Sequence, residues 1–202
     1  MARLAIATHN AHKVDEIWAI LEPLLPHFAR ADVVSARDLN APSPIEDGVT
    51  FAANSLIKAR ALAASSGLPA LADDSGIAVD VLGGSPGVFS ARWAGSHGDD
   101  EANWRLLLDQ LGDVPEEHRG AAFVCAAALV MPDGREFVEV GRMYGSIART
   151  ASGEGGFGYD PVFIADGHTV TTAELTAEQK NSISHRGNAF RAMAPHIADI
   201  LT

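Results

Sequence analysis

Cysteine is nearly absent: Cys125 is the single one in 202 residues. One thiol excludes an intramolecular disulfide and a zinc site built from cysteines. Within the apolar run "AAFVCAAALVM" it reads as a small buried hydrophobe. Clustered positive charge is also missing. The net charge is −11, which argues against a nucleic-acid groove or an anionic membrane surface, although a few placed cations and a divalent metal can still hold a triphosphate. Long apolar runs are lacking too. The longest uncharged run, Gly120 to Pro132, is too short to span a bilayer, and "MARLAIATHN" carries too short an apolar stretch for a signal peptide. The eight histidines are scattered, and His9 and His12 have no third partner at zinc-like spacing. No repeat, low-complexity segment or linker-like change of composition occurs. These absences leave a soluble cytoplasmic protein of one domain, or one domain with two lobes, that binds neither nucleic acid nor membrane.

What is present is apolar residue enough for a core, 47% of the chain, in alternating strand and helix patterns. "RLAIAT" reads as a buried strand. Val14, Ile17, Trp18 and Leu21 follow at helical spacing up to Pro23. "ADVVSARDL" predicts a second strand and its exit, and "NAPSPIEDG" a proline-rich loop. Thr50 can cap a helix "FAANSLIKARALAASS" that stops at Gly67. "PALADDSGIAVDVL" predicts strand, turn, strand. Asp99 or Asp100 can cap a helix bearing Trp104, Leu107, Leu108 and Leu111. "AAFVCAAALVM" and "REFVEVGRMYGSIA" flank Pro-Asp-Gly as a long hairpin, and "VFI" is a further strand. Two helical pieces close the chain: Thr176 and Gln179 have capping-box spacing, and Phe190, Met193, Ile197 and Ile200 form a stripe interrupted by Pro195. The pattern predicts an α/β protein with a mixed sheet.

Five stretches can carry chemistry. "THNAHK", residues 8–13, joins a strand to a helix, where free N–H groups and a partial positive charge attract anions. Lys13 is out of place in a first helical turn unless it serves an anion. Asn54 and Lys58, behind Glu46, share one helix stripe. "LADDSG" sets Asp73 and Asp74 side by side near an expected strand end, where like charges need a shared cation or a proton. Such hard oxygen ligands suit magnesium; an Asp-rich turn bonding its own backbone is the other reading. "GEGGFGYDP" surrounds Phe157 with glycines, as for a flat base lying on the ring, unless the ring turns into the core. "KNSISHRG" supplies Lys180, His185 and Arg186, donors for a carbonyl oxygen or a phosphate, or an ordinary basic helix start.

Taken together, "ATHNAHKVDEI", "EDGVTFAANSLIKARAL", "LADDSGIAVDVLGGSPGVFSARWAG", "GEGGFGYDPVF" and "AELTAEQKNSISHRGNA" resemble, in the same order and over almost the whole chain, the inosine/xanthosine triphosphate pyrophosphatase family. The resemblance implies an elongated mixed β-sheet flanked by helices, forming two lobes of a single domain with the active cleft between them, and a homodimer. It implies Mg²⁺-dependent hydrolysis of non-standard purine nucleoside triphosphates (ITP, dITP, XTP) to monophosphate and pyrophosphate. Carried over, Thr8, His9, Asn10, Ala11, His12 and Lys13 would hold phosphates. Glu46 and Asp74 would hold magnesium with Asp73 close by, and Asp74 would orient or deprotonate the attacking water. Asn54 accompanies Lys58, which would balance phosphate charge, and Ser75 would touch substrate. Phe157, Gly158, Tyr159 and Asp160, with Lys180, His185 and Arg186, would hold the base. The departures are His9 at a variable place, Ser55 where alanine is expected and Ile77 where leucine is expected. A broader nucleotide hydrolase and a nucleotide-binding module without turnover are the competing readings.

Overall fold

A computed structural model describes residues 2–201. Six strands form one mixed sheet in the order β2-β1-β3-β4-β5-β6. They are β1 Leu4–Ile6, β2 Val33–Ser35, β3 Ala70–Val79, β4 Gly120–Val130, β5 Glu136–Ile147 and β6 Phe163–Ala165. The longer helices are α1 Ala11–Leu21, α2 Phe51–Ser66, α3 Asp100–Gln110, α4 Ala177–Ile183 and α5 His185–Leu201. β1 pairs parallel with β2 and with β3, whereas β5 and β6 are antiparallel. Among the described residues no helix is long and apolar enough to cross a membrane.

The chain divides into two compact units. The first comprises residues up to Asp74, Cys125–Gly141 and those from Arg186 on. Its core has two parts. Leu4, Ile6, Ile17, Leu21, Phe190 and Met193 pack in one, and the small side chains Ala5, Ala59, Ala63, Ala70 and Ala128 bring α2 close to the strands in the other. The expected stripes of α1 and α5 are the faces buried here, and α5 continues through Pro195. Packing of Phe190, Met193 and Ile197 (each fully buried) holds the helix across the missing backbone donor. The caps form as the sequence indicates: Thr50 accepts from the Ala53 N–H, and Gly67 ends α2 with φ +68°.

The second unit comprises Ser75–Val124 and Arg142–His185. Ile77, Leu107, Leu111, Phe123, Met143 and Phe163 make its core. Arg119 is buried there with its guanidinium donating to the carbonyls of Leu111, Ile147 and Ala148, so the charge is solvated by backbone oxygens. Asp99, rather than Asp100, caps α3 by accepting from the Ala102 N–H.

One expectation is overturned. Residues 70–79 are not strand, turn, strand but one continuous strand, so Asp73 and Asp74 lie in its middle. Asp-Asp-Ser-Gly suits a turn when its side chains must bond their own backbone. Here partners elsewhere in the chain hold both carboxylates, and the strand has no need to break. The order β2-β1-β3 also reverses direction about β1, the topological switch that favours a ligand site at the carboxyl ends of the strands. In the register Ile6↔Leu71, β3 runs on beyond β1, which carries Asp73 and Asp74 past the end of β1.

Candidate active site

In the first unit, the turn from β1 into α1 is organised by its own side chains. Asn10 caps the helix by accepting from the His12 N–H at 3.0 Å, and Thr8 Oγ1 accepts from the Asn10 N–H at 3.2 Å. Lys13, on the first turn of α1, reaches Asp73 Oδ1 at 2.8 Å. The anion that justifies a lysine at this helix start is therefore a carboxylate of the neighbouring strand.

Successive strand residues face opposite sides, and this separates the two aspartates. Asp73 is buried, with Lys13 on Oδ1 and Arg186 Nε on Oδ2 at 3.3 Å. Burial alone would raise its pKa, but Lys13 and Arg186 outweigh that and hold it well below the usual carboxylate range. Arg186, itself buried, also grips both oxygens of Glu16 at 2.9 Å. Desolvation opposes its charge, yet Asp73 and Glu16 push its pKa up. Lys13, Asp73, Arg186 and Glu16 form an alternating, charge-balanced chain whose two middle members, Asp73 and Arg186, are the buried ones.

Asp74 faces a different set. Lys58 Nζ lies 3.3 Å from Asp74 Oδ1 and 2.8 Å from Glu46 Oε2, so one ammonium is held between two carboxylates from distant segments. Asn54 Nδ2 donates to Asp74 Oδ2 at 3.1 Å. Burial nevertheless dominates at Asp74 and raises its pKa, with Lys58 and Asn54 opposing. At Lys58 burial lowers, but Asp74 and Glu46 prevail and its pKa is raised. Asn54 Oδ1 is buried without a hydrogen-bond partner. A Cβ on Gly48 would stand 2.5 Å from that atom, which is why glycine follows Glu46-Asp47. Thr8, His9, Lys13, Ser43, Glu46 and Lys58 line one cavity. The additional hydroxyl of Ser55 is buried but donates to the Ala52 carbonyl at 3.0 Å, so that departure is satisfied locally.

In the second unit, Phe157 stands 61% exposed and is not turned into the core. Lys180 Nζ lies over its ring, 4.8 Å from the centroid. Asp160, fully buried, organises the loop: it accepts from the Phe157 N–H at 2.8 Å, from Thr172 Oγ1 at 2.8 Å and from Lys180 Nζ. The glycines here are required by the protein's own packing. At Gly156, φ is +74° and a Cβ would sit 2.1 Å from Asp160 Oδ2; at Gly153 and Gly155 it would meet the Ala173 backbone at 2.7 Å. Gly158 has open space and donates to Asp100 Oδ2 at 2.7 Å.

Of the residues singled out in the sequence, Thr8, Asn10, Lys13, Glu46, Asn54, Lys58, Asp73 and Asp74 come together in the first unit, together with Arg186. His12 and Ala11 enter α1, His12 donating its N–H to the cap. Ser75 follows Asp74 on β3. Phe157 and Lys180 meet in the second unit. There Tyr159 is buried, its hydroxyl donating to the Ser90 carbonyl at 2.9 Å and its pKa pushed up by burial, and His185 is buried against Phe123 at 5.1 Å. Two residues escaped notice. Glu16 follows Lys13 at i+3 on one helix face, a legible spacing, whereas Asp100 reaches Gly158 from 58 residues away and left no local sign.

The model of the Ham1 family matches residues 4–196. A dITP/XTP pyrophosphatase of Streptomyces coelicolor is 56% identical over 203 residues, covering all of both chains, and one of Corynebacterium efficiens is 51% identical, covering 98% of each. Among solved structures, a nucleoside-triphosphatase/dITP/XTP pyrophosphatase of Mycobacterium abscessus aligns with a TM-score of 0.80 at 48% identity, covering 96% of this chain and 98% of that one. A HAM1 protein of Coxiella burnetii aligns at 0.89 and 36% identity, covering 98% and 100%.

Proposed function

We infer, for a chain that belongs to the Ham1 family, that it is a dITP/XTP pyrophosphatase, an enzyme that hydrolyses non-standard purine nucleoside triphosphates to the monophosphate and pyrophosphate. The observation that carries the mechanism is the ammonium of Lys58 held between Glu46 and Asp74. Two carboxylates already converging on a positive charge fit a divalent cation with hard oxygen ligands. Among the described residues no group of three or more His, Cys, Asp or Glu side chains could hold a metal. Two protein carboxylates, with waters and substrate phosphates completing the shell, suit Mg²⁺. Bound there, the ion would neutralise charge developing on phosphate oxygens.

The turn from Thr8 to Lys13 receives the phosphates at the amino end of α1, and Lys58 balances their charge. Asp74, oriented by Lys58 and Asn54, positions a water and accepts its proton. The water oxygen bonds to the α-phosphorus, the bond from that phosphorus to the bridging oxygen breaks, and pyrophosphate leaves with the bridging electrons. Positioning and electrostatics do most of the work. Asp73 stays ionised and fixes Lys13, and Arg186 supports it.

Recognition of the base belongs to the second unit. A purine stacks on Phe157, and donors from Lys180 and His185 favour an acceptor oxygen at position 6. Adenine offers a donor there, leaving buried groups unpaired, a mismatch that discriminates by about 10⁴. Phe157→Ala removes the platform, a loss of about 1–3 kcal/mol per base. We expect its KM for ITP to rise about 5- to 150-fold, with kcat changed far less; an unaltered KM would remove the stacking role. We further propose that the enzyme is a cytoplasmic homodimer.

The test is incubation with Mg²⁺ and ITP, XTP, GTP or ATP, assaying pyrophosphate and phosphate separately. Pyrophosphate from ITP and XTP with little from GTP and ATP is the expected result. Equal turnover of all four would mark a broader hydrolase, and binding without turnover a regulatory module.

A further inference from the structure

The loop that delivers Glu46 has little to hold it in place. Residues 41–48 adopt neither helix nor strand. The apolar side chains next to Glu46 and just beyond Gly48 do not anchor it, since Ile45 is 84% and Val49 86% exposed. Its start is fixed by the Ala41 N–H donating to the Ala36 carbonyl at 2.9 Å, and its far side by Glu46 on Lys58. Between these, the imidazole of His9 reaches across from the β1–α1 turn. Nε2 lies 2.9 Å from the Ala41 carbonyl oxygen, and Nδ1 lies 3.4 Å from Ser43 Oγ. A carbonyl only accepts, so Nε2 carries the proton and donates; Nδ1 is then the acceptor for the Ser43 hydroxyl. One neutral tautomer satisfies both contacts. His9 lines the same cavity as Lys13, Ser43, Glu46 and Lys58.

We propose that His9 is a positioning residue that latches the Glu46 loop to the phosphate-binding turn, so that the metal ligand and the triphosphate are brought together. This rests on the metal and phosphate roles proposed above. The two bonds span segments 32 and 34 residues apart in sequence, and the energy of each is modest. The expected effect of breaking them is a loss of preorganisation at Glu46 of about 3- to 10-fold in metal affinity.

Mn²⁺ titration of the nucleotide-free protein, followed by electron paramagnetic resonance, reads the latch without catalysis. His9→Ala is expected to weaken Mn²⁺ binding by about 3- to 10-fold. The Mg²⁺ concentration for half-maximal hydrolysis of ITP should rise by a like factor, while the thermal midpoint stays within a degree or two. His9→Gln, whose amide can donate to the Ala41 carbonyl, should recover most of the loss. Unchanged Mn²⁺ affinity in His9→Ala overturns the proposal, as does a rise in nucleotide KM alone, which would make His9 a phosphate contact only. If the unsubstituted protein failed to hydrolyse ITP, the Mn²⁺ difference would still decide the latch, so the two failures are distinguishable.

Discussion

Asp74→Asn is expected to lower kcat for ITP hydrolysis by about 10²–10⁴, with KM changed by only a few-fold. The amide keeps the shape of the carboxylate and can still contact Lys58 and Asn54, but it cannot take a proton and is a poor ligand for a hard cation. The loss therefore falls on the transition state and not on nucleotide binding. Stability should move the other way. Burial raises the pKa of Asp74 in the folded protein, so at neutral pH ionisation is less favourable there than in the unfolded chain, and the charge costs stability. Replacing it with a neutral isostere should leave the thermal midpoint unchanged or higher, as for other groups that function holds under strain. Steady-state kinetics with ITP beside a melting curve check both halves. Turnover near that of the unsubstituted enzyme would remove Asp74 from the chemistry.

Asp73→Asn should do the reverse in stability. Asp73 is buried between Lys13 and Arg186. Removing its charge leaves two cations facing an amide inside the first unit. Breaking a buried pair by deleting one partner costs about 3–5 kcal/mol. For a chain of this size that corresponds to a fall of roughly 6–20 °C in thermal midpoint. The sign with pH follows from the lowered pKa: the contribution of Asp73 is complete above the ordinary carboxylate range and is lost only as pH falls through its depressed folded value. The gap in stability between the two proteins should thus be constant from neutrality to mild acid and shrink in strong acid. A variant melting within two degrees of the unsubstituted protein at pH 7 would show that the charge chain does not hold this part of the fold.

The contrast between these neighbours was only half legible. The sequence marks both as chemistry, because two adjacent carboxylates need cations, but it assigns Lys13 and Lys58 to phosphates, whereas in the structure they pair with Asp73 and Asp74. It suggests a turn and a shared cation because local residue preference cannot report that partners from α1, α2 and α5 satisfy an Asp-Asp-Ser-Gly stretch inside a strand. On a continuous strand the pair faces two ways, and each aspartate has its own environment. Lys13 and Arg186 lower the pKa of Asp73, and burial raises that of Asp74.

Helix stripes, caps and the hairpin turn were readable because they depend on residues within a few positions of one another. The glycine loop was readable as special but not as to cause. Its glycines admit Asp160 and the Ala173 backbone, contacts set by tertiary structure. Arg186 likewise announces itself as a donor, while its partners Glu16 and Asp73 lie 170 and 113 residues away. Composition and spacing carry no trace of such pairings.

Hydrolysis in ¹⁸O-enriched water tests the central claim most directly, since the site of attack fixes where the label goes. Attack on the α-phosphorus by a water prepared at Asp74 places one ¹⁸O in inosine monophosphate and none in pyrophosphate. Label in pyrophosphate with unlabelled monophosphate would put the attack on the β-phosphorus and contradict the assignment of Glu46, Asp74 and Lys58 to the α-phosphate.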